Sequence, residues 1–252
     1  MRVWRADLHV HTCLSPCADL AMAPRTIIAR AAARGLDAIG VADHNSAANA
    51  PAVQRAARGS GLTVFAGMEV TSREEVHILA LFGALEAAFA MQEFVQRRLP
   101  GRNRPEIFGL QVLVNEEHDV LGFEPRLLAG ATGWSLSEVV ERVHRLGGLA
   151  FAAHADREAF GLLGHLGLLP RGLALDGLEL SPNTSEAEFR RRWPECAELP
   201  LLRFSDAHSP EQIGRAATGF RLPELNLEEL RKALRGAEGR GILTEAASLW
   251  KN

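Results

Sequence analysis

Short apolar runs rich in Val, Ile and Leu alternate along the chain with longer stretches of helical spacing. Residues 3–8, 38–42, 62–66, 76–82, 149–153, 177–180 and 201–204 read as seven strands. Their near-continuous apolar character fits strands covered on both faces, as in a parallel sheet. Helical spacing over residues 25–34 starts after Pro24 and stops at Gly35, the usual asymmetry of helix ends. Residues 136–146 carry a capping box, Ser135 with Glu138, and Asn226 with Glu229 stand in the same relation before 227–234. A further helix is expected over 86–98. One stretch breaks the alternation: 110–114 and 120–122 read as a hairpin around the polar turn 115–119. The expectation is one α/β domain over residues 1–252, a distorted (β/α)7 barrel with a small hairpin insertion at 101–124.

Composition changes this picture little. With 252 residues, 47% hydrophobic, the chain can bury a sizeable core. A net charge of -3 disfavours a simple duplex-DNA binder. Three cysteines, an odd number, argue against a disulfide framework. No run of about 18 apolar residues occurs, and charge follows the first apolar pair at once, so neither a membrane span nor a signal peptide is expected and the protein reads as cytoplasmic.

The polar residues are informative by position. His9 and His11 follow the first strand, Asp43 and His44 the second, Glu69 the third, His154 the fifth, and Asp206 and His208 the seventh. In parallel α/β barrels chemistry gathers at the carboxyl ends of strands. His77 begins its strand, so either its loop folds back or that strand runs antiparallel. His9-Val10-His11 and Asp206-Ala207-His208 each set two ligand-type side chains on one side of an extended chain. Imidazoles and carboxylates suit Zn, Mn or Fe. His118 in an acidic turn, His144 near a helix end and His165 read as structural or surface residues.

The segments Asp7-Leu8-His9-Val10-His11-Thr12, Ala42-Asp43-His44-Asn45-Ser46, Gly67-Met68-Glu69-Val70-Thr71, Ala153-His154-Ala155-Asp156-Arg157 and Ser205-Asp206-Ala207-His208 resemble, in order, the motifs of the PHP family, named for polymerase and histidinol phosphatase. The resemblance spans residues 1 to about 220. It implies a distorted seven-stranded barrel, two to three divalent ions and phosphoester hydrolysis through a metal-bridging hydroxide. By position, His9, His11, Glu69 and Asp206 would hold one ion. Glu69 would bridge to a second, completed by His77 and His154, and His44 and His208 would hold a third. Where the family supplies another His, this chain has Cys17, a softer ligand that alters metal preference, with Asp19 as a fallback. Cys13 and Cys196 read as structural.

Two ions about 3.5–4 Å apart supply both a nucleophile and charge compensation in phosphoryl chemistry. Asp7 and Asp43 are expected to orient imidazoles, Asp43 alternatively to reach a metal. Arg157 is the candidate phosphate clamp, and His208 or a bound water the candidate acid. The expected substrate is a small phosphate ester. A nuclease steered by Arg97, Arg98, Arg102 and Arg104 is a less favoured reading, since no aromatic run accompanies those arginines. A metal-stabilised module without activity is a third. A carboxylated-lysine bridge, as in many amidohydrolases, is disfavoured because the two lysines, Lys232 and Lys251, lie far from any strand end. Oligomeric state is not legible.

Overall fold

The computed structural model describes residues 1–182 and 184–243; Lys251 lies outside them. In chain order the elements are β1 (Arg2–Val10), α1 (Pro24–Ala33), β2 (Ala38–Val41), α2 (Ala50–Ala56), β3 (Thr63–Thr71), β4 (His77–Phe82), α3 (Leu85–Gln96), α4 (Pro105–Phe108), β5 (Val112–Val114), β6 (Val120–Phe123), α5 (Leu136–Arg145), β7 (Leu149–Ala152), α6 (Leu162–Leu166), β8 (Gly177–Glu179), α7 (Glu186–Arg192), β9 (Leu201–Leu202), β10 (Thr218–Leu222), α8 (Leu227–Leu234) and β11 (Gly241–Leu243).

Nine strands form one curled sheet in the order β11-β10-β1-β2-β3-β4-β7-β8-β9. Its seam is closed without a ladder: the Ala207 N–H donates to His9 O at 3.3 Å and the His11 N–H to Ala207 O at 3.0 Å. The segment after β9 thus lies beside β1, and the seven strands expected from the sequence ring a distorted barrel. Two strands went unread, β10 and β11, which extend the sheet antiparallel from β1. Among the seven expected strands, β/α alternation fails between β3 and β4. No helix separates β3 from β4, and β4 runs antiparallel to both β3 and β7. His77, at the start of β4, therefore stands at the same end as the carboxyl termini of the parallel strands.

The core has two layers. Ala6, Leu8, Phe65, Leu79, Leu81, Phe151 and Phe204 fill the interior, closed below by Leu230 and Ala233 of α8. Ile39, Val41, Met68, Val70, Ile78 and Ala80 face outward beneath the surrounding helices. The strand period of two therefore puts Glu69 on the interior face with Phe65, and His77 with Leu79 and Leu81. At Gly67, directly below Glu69, a Cβ would lie 2.4 Å from the Ala80 carbonyl oxygen. In β1 the register shifts between Asp7 and Val10. That irregularity moves Val10 to the outer layer and turns His9 and His11 inward after Ala6 and Leu8.

The hairpin β5–β6 forms a separate two-stranded sheet. The capping box of α5 is complete, with Ser135 and Glu138 reciprocally bonded. At α8 only half forms: the Asn226 side chain accepts the Glu229 N–H, while the Glu229 carboxylate pairs with Arg240 and Lys232 instead. No helix among the described residues is long and apolar enough to cross a membrane.

Candidate metal centre

At the barrel mouth both oxygens of the buried Glu69 face histidines. Oε1 lies 2.8 Å from His77 Nδ1, 3.1 Å from His154 Nε2 and 3.6 Å from His9 Nε2. Oε2 lies 3.1 Å from His44 Nδ1 and 3.5 Å from His11 Nε2. Asp206 Oδ1 is 3.4 Å from His9 Nε2 and 3.2 Å from His11 Nε2. The strands thus bring eight of the nine sequence-assigned ligand residues into one cluster, and Cys17 joins it with Sγ 3.2 Å from His44 Nε2. His118, His144 and His165 stay outside. The His118 Nε2 accepts the Arg25 N–H, and His144 pairs with Asp176 at 2.8 Å beside a cleft of about 700 Å³ at the opposite end of the barrel. Asp19 caps the Ala21 N–H and remains exposed.

Hydrogen bonds behind the cluster orient it. The His9 Nδ1–H donates to Glu179 Oε2 at 2.8 Å. His11 Nδ1 lies 2.9 Å from Ser15 Oγ, which donates to Asp43 Oδ1 at 2.7 Å. Asp43 also accepts from the Thr12 N–H and hydroxyl, so it steadies His11 through Ser15. The His208 Nδ1–H donates to the Asp206 carbonyl at 2.9 Å. Each such bond fixes a tautomer and leaves Nε2 as a lone-pair donor turned into the cluster.

Two expectations need correction. Asp7 accepts no imidazole N–H; its carboxylate takes the Ser205 and Gly214 N–H groups, each at 2.9 Å. It pins the segment that carries Asp206. Arg157 is not a free clamp, because its Nη1 is 2.8 Å from Asp206 Oδ2. Glu179 was missed. Its signal was a carboxylate inside the apolar run Gly177-Leu178-Glu179-Leu180.

The electrostatics describe what the cluster requires. Burial alone would raise Glu69, yet the charges of His77 and His9 and the bonds from His154 and His44 hold it well below the carboxylate range. Asp206 is lowered likewise, chiefly by His9 and His11 against its burial. His9 is raised well above its usual value although burial opposes it, because Glu179, Asp206 and Glu69 surround it. Burial and the neighbouring His208 push His11 the other way. Against its burial, bonds to Cys17 and Glu69 lift His44 to about 10. Burial opposes a thiolate at Cys17, but bonds to His208 and His44 bring it down to about 6. Buried anions here are balanced by protons on imidazoles, the positions divalent cations would take over.

The donor set fits metal. His9, His11, Glu69 and Asp206 present ligand atoms within 4.8 Å of one another, as do His11, His44 and His208, and His44, Glu69 and His77. Asp206 Oδ1 and His154 Nδ1 are buried without a hydrogen-bond partner, which marks a site built for something other than its own contacts. Of seven non-glycine residues with positive φ among those described, Asn45, His154, Phe160 and Asp206 lie at this mouth. Strain gathers at sites.

Residues 7–121 match the PHP domain model and residues 195–238 the PHP-associated model. Residues 7–121 of the chain thus form a PHP domain. No curated protein matches it by sequence. Among solved structures this PHP chain is similar to a lesion-specific endonuclease, endonuclease Q, from Pyrococcus furiosus, with a TM-score of 0.73 at 22% identity over 96% of this chain and 58% of that one. An endonuclease Q complex with a 27-mer duplex carrying an abasic lesion at the active site gives the same TM-score, 0.73, at 22% identity, covering 95% and 58%. The chain thus spans about 58% of those endonucleases' length. A presumed metal-dependent phosphoesterase from Bifidobacterium adolescentis follows with TM-score 0.58, 21% identity and coverage of 92% and 96%.

Proposed function

We propose that this PHP protein is a divalent-metal phosphoesterase. The observation that carries the reading is Glu69, one buried carboxylate with each oxygen turned to a different set of imidazoles. His9, His11, Glu69 and Asp206 are assigned to one ion, and Glu69, His77 and His154 to a second. His44, His208 and Cys17 are assigned to a third. Zn, Mn or Fe at these positions supplies Lewis acidity and activates water at neutral pH.

The chain's own residues do the rest. Glu179 and the Ser15–Asp43 pair hold His9 and His11 as neutral Nε2 donors once their protons leave. The Arg157 side chain is 42% exposed with one arm on Asp206, so its remaining N–H groups face outward for a phosphoryl oxygen. His208 has Nδ1 committed to Asp206, and Cys17 engages the same ring. That favours a ligand role over the leaving-group acid.

A nuclease reading uses the same site. Arg102 and Arg104 are exposed, and so are Phe108 and Phe123, at 39% and 57%. They belong to the insertion whose Gly109 packs on the Pro16 carbonyl, next to Cys17. Basic and aromatic groups together suit a nucleic-acid strand. The similarity to endonuclease Q is one of fold and adds no substrate by itself.

The test is hydrolysis by Mn- or Zn-reloaded protein of an aryl phosphate, of a short single-stranded oligonucleotide and of an abasic duplex, each with and without chelator. Chelator-sensitive turnover of the aryl phosphate supports the first reading, and cleavage confined to the oligonucleotides supports the second. Bound metal without turnover of any of them would overturn both.

A further inference from the structure

The loop between β7 and α6 places a side chain that the hydrolytic reading leaves unused. Phe160 stacks on the His77 ring with centroids 4.6 Å apart and planes 18° from parallel. Its backbone is tied to the same residue, since its carbonyl accepts the His77 N–H at 2.9 Å. It holds φ at 61°, in the left-handed region that a bulky side chain rarely adopts. The loop is tightly wound: a Cβ at Gly161 would lie 2.4 Å from the Arg157 carbonyl oxygen, and one at Gly164 would lie 2.0 Å from it. Yet Phe160 is 40% exposed. One ring face is covered by His77, so the exposed part of the residue lies off that face.

We infer that the other face of the Phe160 ring is a stacking platform for a planar ring carried by the substrate next to its phosphate. The inference rests on the phosphoesterase reading and names the substrate class within it. His77 Nδ1 is 2.8 Å from Glu69, so the platform stands one imidazole and one phenyl ring from the bridging carboxylate. Arg157, three residues earlier in the same loop and paired with Asp206, stands on the phosphate side. The loop therefore offers a cation and an aromatic face to the two ends of one nucleotide. That nucleotide is either free or the terminal unit of a strand.

The experiment compares wild type, Phe160→Ala and Phe160→Tyr, all metal-reloaded. It measures metal content, kcat/KM for a nucleoside monophosphate, for glycerol phosphate and for a short single-stranded oligonucleotide, and the Kd of the nucleoside monophosphate and of inorganic phosphate by calorimetry. The expected result is about a tenfold loss in Phe160→Ala of preference for the ring-bearing ligand over its ringless counterpart, the scale of one base–aromatic stack. Tyr should restore it and metal content should stay equal across the three. A loss larger with the oligonucleotide than with the monophosphate assigns the platform to a strand end, and the reverse assigns it to a free nucleotide. Equal loss for ringed and ringless ligands, or loss of metal in Phe160→Ala, would overturn the platform in favour of a buttress for His77. Should wild type turn over no phosphate, the hydrolytic reading fails, while the ratio of the two Kd values still decides the platform.

Discussion

Glu179 offers a perturbation whose size follows from its geometry. Its Oε2 receives the His9 Nδ1–H at 2.8 Å, with His9 fully buried and Glu179 nearly so. Glu179→Gln keeps the volume and one acceptor but removes the charge. Two effects then oppose each other at His9. Lower ring basicity loosens a bound ion, and it also loosens the competing proton that Glu179, Asp206 and Glu69 hold there. Carboxylate partners of ligating histidines are worth about 10–100-fold in metal affinity after such competition. That corresponds to about 1.4–2.8 kcal/mol. Near pH 7 the expected outcome is therefore a 10–100-fold weaker affinity for the ion held by His9. The assay is competition with a chelator of known affinity, with circular dichroism confirming the fold. An unchanged affinity would refute the role of Glu179 as an orienting acceptor. Global unfolding instead of metal loss would show that the pair is structural.

Other perturbations read other parts of the cluster. In metal-stripped protein at pH 7, iodoacetamide should label Cys17 alone. Cys17 is an exposed residue whose thiol is lowered to about 6, while burial pushes Cys13 up to about 12 and Cys196 to about 11; mass spectrometry of peptides should find Cys17 protected after Zn reloading. Arg157→Ala should lower kcat/KM for a phosphate ester about 10–100-fold, the scale of a charge-assisted hydrogen bond, with metal content retained. Metal at a hundred times its Kd should add about 2.7 kcal/mol of stability and raise Tm by roughly 5–10 °C in calorimetry. An unshifted Tm would mean the ions do not bind the folded state preferentially.

The fold was legible wherever a strand was a continuous apolar run. Two strands escaped: β10 carries Arg221, β11 is three residues at the sheet's edge, and the two pair antiparallel to their neighbours. A buried parallel-strand signature cannot reveal such segments. The short helices α2, α6 and α7 also escaped, being five to seven residues long with little room for a period. The candidate metal cluster was legible because ligand-type residues recur at strand ends, so topology alone brings them together. His77 left two alternatives that only the antiparallel β4 decides. What pairs behind the ligands was not legible. Asp7 and Glu179 are both buried carboxylates, yet one accepts backbone N–H groups and the other His9, a difference their sequence neighbours do not show. Phe160 gives no periodic signal either, since its meaning lies in a backbone conformation and a stacked ring.

The claim that everything else depends on is that Glu69 bridges ions. Elemental mass spectrometry of reloaded, desalted wild type and Glu69→Gln tests it most directly, with thermal denaturation to confirm that both fold. Two to three ions per chain are expected in wild type, and the loss of at least the two ions assigned to Glu69 in the variant. Full occupancy in Glu69→Gln, or no metal in wild type after reloading with Mn or Zn, would contradict it.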